Sequence, residues 1–168
     1  CIAACGKGKQ WPLAMNLLDL MAKSLIRRSI LSYMAAMSSC EGERWQQSLE
    51  LFWTMDGSGI APDVAAFNSC MNAVHWQVAQ DLLKCMLARK LQPTPLTYVA
   101  LINSCKFFEW PRALHFWHQT QEKFGPNLLA ASACINACEK SGASGSGAWQ
   151  SALEVFWKSS NSGVQHNQ

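Results

Sequence analysis

The chain lacks any run of apolar residues long enough to span a bilayer: nowhere in its 168 residues do about eighteen uncharged apolar residues follow one another. It also lacks charge of one sign. Fourteen Lys and Arg against 11 Asp and Glu leave a formal charge of +3, and only Arg27-Arg28 and Arg89-Lys90 put two cations side by side. That balance admits a polyanionic partner without demanding one. No Ser/His/Asp set, Gly-rich phosphate loop or acidic cluster occurs, so the chain reads as non-enzymatic, with no catalytic residues. Initiator Met and a signal-peptide pattern are missing too; a chain opening on Cys1 reads as a fragment or a processed product. His115 and His118 of "HFWH" have no carboxylate or third ligand beside them, and the intervening Phe116 and Trp117 mark a packed helix rather than a metal site.

Cysteine is not scarce, but its placement excludes the usual reasons for it. Of the eight, Cys5, Cys40, Cys105 and Cys138 each stand a few residues before a tryptophan, and Cys1, Cys70 and Cys134 fall on equivalent positions one helical turn earlier. Small apolar thiols recurring inside apolar runs read as core packing in a reducing compartment. The Cys1/Cys5 and Cys134/Cys138 pairs have helical spacing but no second pair or nearby His to complete a zinc site. No metal and no cofactor is expected.

What the chain does have is apolar residues, 49% of the total, arranged in a period. Trp11, Trp45, Trp76, Trp110 and Trp149 are spaced by 34, 31, 34 and 39 residues. Each opens a related string: "WPLAMNLLDLM", "WQQSLELFWTM", "WQVAQDLLKCM", "WPRALHFWHQT" and "WQSALEVFWKS". Three residues after each tryptophan comes a small residue (Ala14, Ser48, Ala79, Ala113, Ala152), the kind that lets two helix backbones approach. Apolar residues then recur at helical spacing, as in Leu82, Leu83 and Met86. A second apolar run precedes the tryptophan in "LSYMAAMSSC", "AAFNSCMNAV", "LTYVALINSC" and "LLAASACINAC". Pro12 and Pro111 suit the first turn of a helix, where a missing N–H costs nothing. Pro62, Pro93 and Pro126 punctuate its exit.

Each unit therefore reads helix, turn, helix, turn. A period of this length predicts an all-α fold: a right-handed helical-hairpin solenoid, or α–α superhelix, of stacked two-helix repeats. The repeats run 1–29 (partial), 30–63, 64–94 (short), 95–127 and 128–167, the last with a Gly/Ser insertion at 141–148 expected to form a flexible loop. The marker tryptophans are expected to fill the seams between helices, each burial contributing about 2–3 kcal/mol. Only His75 separates "MNAV" from Trp76, which demands a tight turn or a truncated first helix. The chain is expected to lose its structure in "SSNSGVQHNQ", and both ends to fray.

In these units the tryptophan opens the second helix, the unit closes on Pro plus a small polar residue, and the next first helix carries an aromatic: Tyr33, Phe67 or Tyr98. This arrangement resembles the pentatricopeptide repeat over essentially the whole chain, as about four and a half repeats. The resemblance implies sequence-selective binding of single-stranded RNA by a monomer without membrane contact. It also implies an organellar setting, chloroplast or mitochondrion. In that family the residue after the first-helix aromatic and the last residue of the repeat contact the base edge, while an apolar residue near the start of the first helix packs on the base face. Carried over, the base-reading pairs are Met34 with Asp63, Asn68 with Thr94, Val99 with Asn127, and Ser132 with Asn167. The base-packing residues are Leu31, Ala65, Leu96 and Leu129, and the partial first repeat retains only Ser29. The Asn68 pair would lean towards a pyrimidine and the Ser132 pair towards adenine, whereas Met34 and Val99 cannot hydrogen-bond a base. Asp63 and Asn127 also suit the N-cap of the helix that follows. The alternative function is a protein-binding scaffold, because helical solenoids offer a groove to peptides as readily as to RNA.

Overall fold

The computed structural model describes residues 11–24, 28–40, 44–105, 109–140 and 147–164. The Cys1/Cys5 pair, most of the Gly/Ser insertion and Asn167 lie outside the described residues. Among the described residues all regular structure is helical, in nine helices. They are α1 (Trp11–Lys23), α2 (Ile30–Ser39), α3 (Trp45–Gly57), α4 (Val64–Ala73), α5 (Trp76–Ala88), α6 (Pro95–Ser104), α7 (Trp110–Phe124), α8 (Leu128–Lys140) and α9 (Ala148–Val164).

Local chemistry explains where they start and stop. The helices α1, α3, α5 and α7 begin on their tryptophans, and α9 begins one residue earlier. Pro111 occupies the first turn of α7, where no N–H is needed. At their exits, α3 turns through Gly59 (φ +79°) and α7 through Gly125 (φ +78°), the left-handed conformation that glycine adopts without strain. Following α5 the same turn falls on Lys90 (φ +61°), whose N–H donates to the Leu87 carbonyl. A side chain there costs about 1 kcal/mol.

The chain divides into two compact units, Cys1–Gln92 and Pro93–Gln168. In the first, α1 packs on α2, α2 on α3 and α4, α3 on α4, and α4 on α5. In the second, α6 packs on α7 and α8, α7 on α8, and α8 on α9. Within its unit each helix thus touches its chain neighbour, and α2 and α6 also touch the next helix but one. This is the stacking of helical hairpins, in the all-α class that the sequence period predicts.

Small residues sit where the helices approach. Ala14, Ser48, Ala79 and Ala113 are fully buried, and Ala152 is half-buried. The largest buried side chains are Trp117, Tyr33, Tyr98, Phe52 and Phe67, followed by Met37, Met55, Met71 and Met86, whose flexible side chains suit irregular gaps. The marker tryptophans are a partial correction to the sequence reading. Trp76 is buried, but Trp45 and Trp110 are only half-buried. Deeper contacts fall to residues two turns on, such as Phe52 and Trp117.

Cys40, Cys70, Cys105, Cys134 and Cys138 are buried thiols outside any disulfide, as core packing requires. Burial pushes the Cys70 and Cys105 thiols up to about 12, because a thiolate would lose its hydration. Cys134 is raised as well, by its hydrogen bond with Cys138 and then by burial.

Two expectations about length resolve differently. Helix α4 has 10 residues, like α2 and α6, so the short third unit is accommodated by a two-residue turn at Val74–His75 and not by truncation. Helix α9 continues to Val164, through much of the polar tail expected to be irregular. Once a helix is nucleated and docked, each added residue gains a hydrogen bond at little further cost.

Candidate nucleic-acid interface

The candidate residues lie at the joints where α2, α4, α6 and α8 begin. Each of these helices is entered through a residue that serves as its N-cap. Ser29 has extended backbone (φ −112°, ψ 160°), and its hydroxyl accepts from the Ser32 N–H at 3.3 Å. Asp63 Oδ1 accepts from the Ala66 N–H at 2.8 Å. Asn127 Oδ1 accepts from the Ala130 N–H at 3.0 Å. At Thr94 the backbone N–H donates to Thr97 Oγ1 at 3.0 Å, and the two hydroxyls are 3.3 Å apart. A cap satisfies helix-end N–H groups that otherwise have no partner, and its removal costs about 1 kcal/mol. All the last-of-repeat candidates among the described residues therefore have a local structural role. The bonds at Asp63 and Asn127 each engage Oδ1, so Oδ2 of Asp63 and Nδ2 of Asn127 lie outside the cap geometry.

One residue past the helix start, the four base-packing candidates share an environment. Leu31 is 74% exposed, Leu96 56% and Leu129 60%, and Ala65 is exposed as well. Leu128 beside Leu129 is also exposed. Large apolar side chains held in water at the same helical position three times are not explained by the packing of their own helices.

The fourth residue is buried in each case: Tyr33, Phe67, Tyr98 and, in α8, Ala131. It anchors the helix start in the core and fixes where the fifth residue goes. Met34, Asn68 and Val99 are half-buried, and Ser132 is exposed. The Asn68 side-chain oxygen is enclosed without a hydrogen-bond partner, an arrangement that costs about 1–3 kcal/mol.

The pairing of these positions differs from case to case. Met34 lies on α2 and Asp63 caps α4, and these helices pack together. Val99 and Asn127 are related in the same way through α6 and α8. Asn68 belongs to the first unit and Thr94 to the second. Ser132 is described, but its partner Asn167 is not.

Sequence reasoning missed a set of cations over the first-helix aromatics. The Arg28 guanidinium lies 5.7 Å from the Tyr33 ring centre, Arg89 5.9 Å from Phe67, and Lys123 5.2 Å from Tyr98. Lys123 also donates to the Tyr98 hydroxyl at 2.5 Å. Such contacts are favourable by about 0.5–1 kcal/mol at exposed sites. Arg89 in addition grips Asp56 with two hydrogen bonds, 2.9 and 2.6 Å long, linking the end of α5 to the end of α3. That bond holds the Asp56 carboxyl below the usual carboxylate range and raises Arg89. No local motif signals it, because the partners are 33 residues apart.

His115 and His118 are both exposed on α7, while Phe116 and Trp117 between them are buried. Among the described residues no group of three His, Cys, Asp or Glu could hold a metal. No helix among them is long and apolar enough to cross a membrane.

No family model matches the chain. Over 78 residues, 44% of its length, it is 30% identical to a pentatricopeptide repeat-containing protein of Arabidopsis thaliana. The chain spans only 14% of the length of that relative. Part of the chain is thus similar to a pentatricopeptide repeat-containing protein, and its helices stack as hairpins.

Proposed function

We propose that this chain is a non-enzymatic helical-repeat protein that binds single-stranded RNA along the exposed starts of α2, α4, α6 and α8. It acts in organellar RNA processing, stability or translation as part of a longer array. The observation that carries this reading is the recurrence, at one register, of an exposed apolar side chain just inside a helix (Leu31, Leu96, Leu129, with Ala65) next to a polar cap. A base presents an apolar face and a polar edge, and that pairing of side chains offers one surface to each. The partial similarity to a pentatricopeptide repeat-containing protein supports the same reading.

In this reading Asn68 and Ser132 supply hydrogen bonds, with Thr94, Asp63 and Asn127 beside the bases, and Met34 and Val99 add apolar contact only. Selection from a randomised RNA pool tests it: sequencing should reveal enriched motifs. Binding of those RNAs should weaken steeply from low to moderate salt as phosphate contacts release counterions. A chain carrying both Asn68→Ala and Thr94→Ala should bind the enriched RNAs less tightly. No enrichment at any salt would overturn the proposal in favour of a protein-binding groove. Undiminished binding of every enriched RNA by the double variant would remove those two residues from the set of readers.

A further inference from the structure

A positive charge stands at the same place in three hairpins, although the sequence supplies it from different places. Arg28 comes from the joint before its own helix α2 and lies over Tyr33. Arg89, at the end of α5, lies over Phe67, and Lys123, in the last turn of α7, lies over Tyr98; each ring belongs to the first helix of the same hairpin. Each ring is also the buried residue directly before a candidate reader: Met34, Asn68 or Val99. No shared motif accounts for this, because Arg28 precedes its ring in the chain whereas Arg89 and Lys123 follow theirs by a whole second helix. Convergence on one spot from unrelated positions points to a use for charge at that spot. Helix α8 is the contrast, with Ala131 where the ring would be.

The cations keep donors for a ligand. Arg89 and Lys123 are exposed, and Arg28 is half-buried. Among the described residues neither Arg28 nor Lys123 forms an ion pair. Lys123 gives one of its three N–H donors to the Tyr98 hydroxyl. An arginine held over a ring face keeps its N–H fork for an anion. Arg89 differs, since Asp56 takes two of its donors.

We infer that Arg28 and Lys123 are contacts for RNA phosphates, held beside the base readers by their aromatic rings, and that Asp56 withholds Arg89 from the same role. This rests on the RNA reading above and adds to it which residues meet the backbone. The ring supplies what an isolated surface cation lacks, a fixed position, so less side-chain freedom is lost when a phosphodiester arrives. A strand that brings a base to a reader brings its phosphate too, and a cation there holds it without base preference.

The test measures log K against log salt concentration for the full chain and fluorescein-labelled poly(U), followed by anisotropy. Lys123→Gln and Arg28→Gln are each expected to make the slope shallower by about 0.7, the value for one contact to a single strand, and Lys123→Arg to keep the parent slope. Asp56→Asn is expected to steepen it by unmasking the Arg89 charge; an unchanged slope there overturns the Arg89 part. Lys84→Gln, which removes an exposed cation paired with Asp81, is expected to leave the slope as it is. A role confined to packing would lower stability in urea without moving the slope. Binding whose slope neither Lys123→Gln nor Arg28→Gln changes overturns the phosphate assignment and leaves the RNA reading standing. No binding of poly(U) or of pool-selected RNA at any salt overturns both. Displacement of the RNA by poly-L-glutamate as effectively as by unlabelled poly(U) also overturns the assignment, since the cations would then serve an acidic polypeptide.

Discussion

Helix α4 buries Ala66, Phe67, Cys70, Met71 and Ala73, half-buries Val64, Asn68 and Ser69, and leaves Ala65 exposed beside the Asp63 cap, with Asn72 seven residues on. Helix α5, next in the chain, buries only Trp76, Ala79, Leu82 and Met86 along one stripe, and turns Gln77, Asp81, Lys84 and Leu87 to solvent. The cause is the number of neighbours. Within its unit α4 packs on α2, α3 and α5, whereas α5 packs on α4. A helix crowded by three others needs small residues on several sides, and its open arc narrows to the line of Ala65 and Asn72. The positions free to vary for a ligand are therefore few and recur at one register, which is where the candidate interface lies. Within the first unit α3 and α5 pack on fewer neighbours than α4, and Phe52, Met86 and Trp117 of the tryptophan-opened helices line the seams together with Tyr33, Phe67 and Tyr98 of the others.

The strongest way to break that contrast is to empty a seam. Trp117→Ala should cost about 3–5 kcal/mol, because a fully buried indole leaves a cavity, and urea denaturation would show it. Next come the caps: Asp63→Ala and Asn127→Ala should each cost about 1 kcal/mol by the same assay, with loss of hydrogen-exchange protection in the first turn of α4 or α8. Lys90→Gly should move in the other direction, raising stability by up to about 1 kcal/mol in thermal melts, since glycine relieves the left-handed turn after α5. Asp56→Asn should cost about 0.5–1 kcal/mol at neutral pH. The Asp56 pKa is depressed in the fold, so its contribution is present above the ordinary carboxylate range and is lost as pH falls through the depressed value. The gap between parent and variant should therefore close in acid. Smallest in stability is the triple change Leu31→Ser, Leu96→Ser, Leu129→Ser, expected within about 0.5 kcal/mol for exposed sites. The same variant should lose RNA binding at low salt, which separates the open arc from the seams; unchanged binding would remove these leucines from the interface.

Much of this was legible in the residues. The tryptophan strings place the starts of α1, α3, α5 and α7, and the Pro-Asp and Pro-Asn joints announce the caps at Asp63 and Asn127, because capping is a contact across three residues. Buried cysteines follow from their place inside apolar runs. The half-burial of Trp45 and Trp110, against the burial of Trp76, did not follow, since it depends on the neighbouring helix and not on the tryptophan's own. The two-residue turn before Trp76 was one of two options that the same letters allowed. The cations over Tyr33, Phe67 and Tyr98 had no signal, since an isolated Arg or Lys looks the same paired or solvated. Within the candidate interface, Leu31, Ala65, Leu96 and Leu129 were singled out only by the resemblance to the pentatricopeptide repeat, and their exposure was decided by packing.

By itself, the order of residues determined the elements: helical periods, caps, glycine exits and the spacing of small residues are set by contacts within about one helical turn, which the chain makes wherever it goes. Tertiary packing alone decided which members of each period are covered. Phe52 and Phe156 hold the same register, yet one is sealed beneath Phe67 and the other stands in solvent, because burial belongs to a pair of surfaces and only one of them is written in any given helix.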